Sequence, residues 1–79
     1  MKLPRDLSGQ DPVRHLCRRW SYRRVHQVGS HIILETDEPS HHRIEVPAHK
    51  FLRIGTLNAI LSSSANHKGV PREEILNGV

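Results

Sequence analysis

Seventy-nine residues, 12 Lys plus Arg against 8 Asp plus Glu and a formal net charge of +4 make one small basic domain, residues 1–79. A domain of this size buries only about 60% of its unfolded surface, which excludes a deep substrate cavity and puts any site in a surface groove. One cysteine excludes an intramolecular disulfide framework, no apolar run reaches the roughly 20 residues of a membrane span, and the N-terminal segment has no signal-like apolar stretch, so a reducing, cytoplasmic setting is expected.

The first helix starts near Ser8–Asp11. Ser8 is one candidate N-cap, with Asp11 three residues on; Asp11 is the other, with Pro12 in the favoured first helical position. Val13, Leu16, Cys17 and Trp20 then recur at i, i+3, i+4 and i+7, the spacing of one buried stripe, which favours Trp20 as a core anchor over a base-stacking platform. From Tyr22 to Val28 the pattern turns extended. Gly29 and Ser30 form a tight turn, and His31–Thr36 is a second strand closing a hairpin. Asp37–Ser40 is a further turn, and Arg43–Val46 is a third strand ended by Pro47. Thr56–Lys68 reads as a helix with Leu57, Ile60, Leu61 and Ala65 inward and Gly69 at its C-terminal stop. Pro71–Glu74 opens a short last helix carrying Ile75 and Leu76.

The fold expected is therefore α+β: α-β-β-β-α with a three-stranded antiparallel sheet, both helices on one face, and a short C-terminal helix. Period-two alternation turns Ile32, Leu34, Ile44 and Val46 toward the helices and leaves His31, Ile33 and Glu35 on the open face. Charge is uneven along this order. Residues 1–34 carry seven Lys or Arg and two Asp, whereas residues 35–50 carry two basic residues against four acidic ones. Basic charge concentrated in the first helix and first strand points to a polyanion, nucleic acid before membrane, because no basic helix has an insertion face.

On that reading His31 is held on a rigid strand at the mouth of a glycine turn, near Arg23 and Arg24. An imidazole exchanges protons at cellular pH, and RNA offers it a 2′-hydroxyl beside a phosphodiester. Deprotonation of that hydroxyl would drive its attack on phosphorus, with arginines stabilising the charge on the phosphoryl oxygens. One histidine is not a constellation, and a histidine beside a hairpin turn is ordinarily a solvated strand residue.

The run LSGQDPVRHLCRRWSYRRVHQVGSHIILE (7–35), followed by HRIEVPAHK (42–50), IGTLNAIL (54–61) and REEIL (72–76), resembles the HicA (YcfA-like) family of mRNA interferase toxins. The strongest part is Gln27-Val28-Gly29-Ser30-His31 before an apolar strand, with Val46–Lys50 and Gly55-Thr56-Leu57 at matching distances. The resemblance implies a fold similar to a double-stranded RNA-binding domain, translation-independent cleavage of mRNA by a single histidine, here His31, no cofactor, and neutralisation by a HicB-type antitoxin. Gly29 and Ser30 would then place the catalytic side chain. His49, as donor to the leaving 5′-oxygen, and His26, as a second proton carrier, are auxiliary candidates; Arg18, Arg19, Arg23, Arg24 and Lys50 are candidate RNA contacts. The chain departs from the family pattern at Trp20-Ser21, where a small or aliphatic residue and glycine are usual, at His41 and His42, and in a longer second helix containing Ser62-Ser63-Ser64.

Two other readings compete. A non-catalytic RNA-binding module suits the same fold and charge without chemistry. Seven histidines invite a metal, but none has the i, i+4 helical spacing or CxxC partner of a zinc site, so no metal is expected.

Overall fold

The computed structural model describes residues 6–79; Lys2 and Arg5, which add to the basic charge of the first segment, lie outside them. The elements run α1 (Gln10–Arg19), β1 (Arg23–Val28), β2 (His31–Thr36), β3 (His42–Pro47), α2 (Ile54–Lys68) and α3 (Arg72–Leu76). The strands form one antiparallel sheet in the order β1-β2-β3, so β2 is central and both its neighbours are edges.

One sheet face carries the core. Ile32 and Leu34 of β2 and Ile44 and Val46 of β3 meet Val13 and Leu16 of α1, Leu57, Ile60, Leu61 and Ala65 of α2, and Ile75 and Leu76 of α3. The expected alternation and the placement of both long helices on one face therefore hold. Ile33 differs from expectation: it points to the other face yet is only 1% exposed. Its central position explains this, since His26 and Glu45 flank it in register on the two neighbouring strands.

Helix boundaries shift for identifiable reasons. Gly9, not Ser8 or Asp11, occupies the N-cap of α1. Ser8 instead donates its backbone N–H (2.8 Å) and hydroxyl (3.2 Å) to the Asp11 carboxylate. Pro12 falls within the first turn, where a backbone N–H has no partner inside the helix, so its missing donor costs nothing. Glycine is required at position 9 by close approach: an added Cβ would run into the Pro47 carbonyl. The Gly9 N–H donates to the His49 carbonyl (2.9 Å) and the Leu52 N–H to the Leu7 carbonyl (2.7 Å), lacing the entry of α1 to the segment after β3.

At the other end of α1 the Leu16 carbonyl accepts from the N–H groups of Trp20 (3.0 Å) and Tyr22 (3.3 Å), and Ser21 reverses the chain with φ 61°. Serine thus performs the left-handed step that glycine makes without strain. Tyr22 is core rather than strand, 3% exposed. α2 starts two residues before Thr56 and closes on Gly69 (φ 70°), with Val70 N–H bonded to the Ala65 carbonyl (3.1 Å) and Gly69 N–H to that of Asn66 (3.4 Å), the two bonds of a Schellman stop.

Candidate functional site

The hairpin turn presents His31 as expected. Gly29 has φ 59° while Ser30 stays at negative φ, the arrangement of a type II′ turn with glycine in the first central position. Ala48 N–H donates to the Ser30 carbonyl (2.6 Å), so the turn is fastened to the segment that carries His49 and Lys50. His31 opens β2 opposite Val28 on one side and Pro47 on the other. Its side chain is half exposed, and its Nδ1 lies 4.0 Å from Glu45 Oε2. It borders an open groove of about 440 Å³ between β3 and α2, shared with Arg43, Glu45, Pro47, Thr56 and Ser63.

Glu45 and Arg43 were not singled out as site residues from sequence. Both follow from the strand pattern: in β3 they alternate onto the face opposite Ile44 and Val46, and Glu45 pairs with Ile33, one step diagonal to His31. At 4.0 Å the Glu45 carboxylate is beyond hydrogen-bond range and acts on the imidazole through its charge, while Arg43 brings a cation to the same groove.

The arginines expected beside His31 are elsewhere. Antiparallel pairing sets Arg23 opposite Glu35 and Arg24 opposite Leu34, three to four residues from His31 along β2, or roughly 10–13 Å at strand rise. Arg23 is committed to Asp37 (2.9 Å) and Glu35 (3.6 Å). Arg24 bonds Gln27 (2.9 Å) on the helix side and lies close enough to Cys17 to oppose the upward shift that burial gives its thiol. Arg18 and Arg19 lie at the exposed C-terminal end of α1, away from the turn. His26 is exposed on the open face, opposite Ile33. His49 and Lys50 are exposed in the loop held to the turn, with the Lys50 ammonium 5.7 Å from the centre of the exposed Phe51 ring. Of the residues named from sequence, the fold therefore gathers Gly29, Ser30, His31, His49 and Lys50 at one end and separates the four arginines from them.

His41 and His42 belong to a second polar group at the opposite end of the sheet. The His42 ring stacks on that of His67 (centroids 4.3 Å apart, 14° between planes). Its Nδ1 shares a hydrogen bond with the Tyr22 hydroxyl (2.9 Å), its Nε2 one with the Ser63 hydroxyl (3.4 Å), and His67 Nε2 donates to the Ser40 carbonyl (2.8 Å). Lys68 Nζ donates to Thr36 Oγ1 (3.0 Å) and the Glu38 carbonyl (2.5 Å) and lies 5.0 Å from the Tyr22 ring centre. Burial, then the nearby His67, Lys68 and His41, hold His42 below the ordinary imidazole range. His41 faces Asp37 (3.3 Å) and Glu35 (3.9 Å), and with Arg23 it draws the Asp37 carboxyl down.

Among the described residues, no three His, Cys, Asp or Glu side chains come together where they could hold a metal ion, and no helix is long and apolar enough to cross a membrane. Comparison with protein-family models, with curated proteins and with solved structures found no match to this chain.

Proposed function

We propose that this chain is an RNA endonuclease of the HicA-like toxin type, acting on mRNA in the cytoplasm and neutralised by a HicB-type antitoxin that covers His31. The observation that carries the reading is a half-exposed His31, fixed by the Gly29-Ser30 turn at the rim of an open groove, with Glu45 4.0 Å from its Nδ1. The order and spacing of the quoted motifs along nearly the whole chain support the same reading.

In this mechanism Nε2 of His31 takes the proton of a ribose 2′-hydroxyl, and the nearby Glu45 carboxylate favours the protonated ring that results. The 2′-oxygen attacks phosphorus, the bond to the 5′-oxygen breaks, and a 2′,3′-cyclic phosphate forms. The leaving 5′-oxygen receives a proton, from His49 or from solvent, and His31 returns its own proton to water. Arg43, which lines the groove, and Lys50, on the loop fastened to the turn, would serve the phosphoryl oxygens in place of the arginines of β1. An open groove suits a polymer that only has to lie across it.

The test is cleavage of a labelled RNA by purified protein, wild type against His31→Ala, with circular dichroism to establish that the variant folds. Loss of a general base lowers the rate by about 10²–10⁴-fold. Equal RNA loss from both proteins sinks the reading; intact RNA that is nevertheless retained by the wild type, in a salt-sensitive way, supports the binding module instead.

A further inference from the structure

Two surface grooves meet at Arg19. The first, about 440 Å³, runs between α1 and Gly78–Val79 and is bordered by Arg14, Arg18, Arg19 and His15, with the Asp11 carboxylate on its rim beside Arg14. The second, about 310 Å³, lies between the α1–β1 turn and the β2–β3 turn and is bordered by Arg19, Trp20, Pro39, Glu38 and Lys68. Trp20 is half-buried, part of its indole packing on the core while the rest lines this groove. Arg14 has Asp11 as a partner at 3.5 Å, but among the described residues neither Arg18 nor Arg19 has a carboxylate within ion-pair distance.

A helix dipole accounts for basic residues in the last turn of α1. It does not account for their gathering along a groove, nor for an indole next in line with a second cation beyond it. We infer that the C-terminal end of α1 is a docking track for single-stranded RNA, with phosphates on Arg14, Arg18 and Arg19 and one base against Trp20; this rests on the RNA-nuclease reading above. Single-stranded RNA alternates anionic phosphates with flat bases, and such strands are held by cations that follow the backbone and aromatic rings that stack the bases. Glu38 on the rim of the second groove repels a phosphate there and leaves that place to a base. The Lys68 ammonium, fixed by Thr36 and the Glu38 carbonyl, closes the far side. An acidic protein segment would match the arginines and leave the indole without a role.

Trp20 is the one tryptophan of the chain, so its emission reports on the track alone. Full-length His31→Ala protein, which does not consume the probe, is titrated with a short oligouridylate while tryptophan emission and the anisotropy of a labelled copy are both followed. Binding is expected to quench the emission. Arg19→Ala should weaken binding and flatten the log–log salt dependence by roughly 0.7. Trp20→Phe should retain affinity by anisotropy, and Trp20→Ala should lose about tenfold, within the range measured for base-stacking aromatics. Arg53→Ala serves as the control that changes nothing.

RNA binding with unchanged emission and an unaffected Arg19→Ala variant would overturn the track while leaving cleavage at His31 untouched. Absence of RNA binding, together with absence of cleavage by the wild type, removes both proposals. Quenching by polyglutamate as strong as that by RNA overturns the assignment of the occupant.

Discussion

The two ends of the sheet use histidine in opposite ways. At the Gly29 turn, His31 and His49 stand at the surface: His31 has one carboxylate at 4.0 Å and borders the groove. At the far end, His42 and His67 stack, and three of their four ring nitrogens are committed to Tyr22, Ser63 and Ser40. A side chain whose bonding capacity is used up within the fold contributes stability, whereas one left free on a rigid strand is available to a substrate. Counting seven histidines cannot separate the two classes; their partners do.

This contrast is breakable by substitution. His31→Ala should lower RNA cleavage by about 10²-fold or more and leave the unfolding free energy from urea melts within about 0.5 kcal/mol of wild type, because an exposed strand residue has little packing to lose. His42→Ala should do the reverse: stability falls by about 2 kcal/mol as the Tyr22 and Ser63 hydroxyls lose their partner, while the folded fraction still cleaves. A variant that stays stable and loses cleavage would move His42 into the site and erase the distinction.

Smaller effects sharpen the comparison. Ser21→Gly should raise stability by about 1 kcal/mol, since a left-handed residue with a Cβ is strained at φ 61°; an unchanged melting temperature would show the turn relaxes without cost. Acid should act through the far end first. His42 binds a proton less readily folded than unfolded, so stability is full above the unfolded value of about 6.5 and declines as pH falls through the window between that value and the depressed folded one. Asp37, drawn down by His41 and Arg23, responds below about pH 4. Urea melts between pH 7 and 5 should show the decline in wild type and lose it in His42→Asn. Glu45→Gln should shift the pH profile of cleavage a few-fold in rate with no change in melting.

Much of the fold was legible because it is local. Alternation in Ile32–Leu34 and Ile44–Val46 chose the buried face, Gly29 and Gly69 marked a turn and a helix stop, and the stripe Leu57-Ile60-Leu61 set the inward side of α2. The candidate site was legible at His31 for the same reason. Its surroundings were less so. Nearness in sequence suggested Arg23 and Arg24 as neighbours of His31, but a hairpin carries its first strand away from the turn, so those residues pair with Leu34 and Glu35. The signal was present in the pairing rule and outweighed by the charge count. His42 and His67, 25 residues apart, meet only because β3 and α2 share an edge of the core, which no local pattern encodes. The boundary of α1 was missed because a backbone contact with Pro47, rather than a side-chain cap, decides which residue precedes the helix.

β1 is exposed along its whole length and lies at the edge of the sheet, where its outer backbone groups could pair with another chain. Its register slips between Arg24 and His26, which places Val25 in a bulge and breaks the straight row of donors and acceptors that a foreign strand would need. Arginine at positions 23 and 24 adds charge to the same edge. The bulge and the arginines therefore work against pairing of a foreign strand along β1.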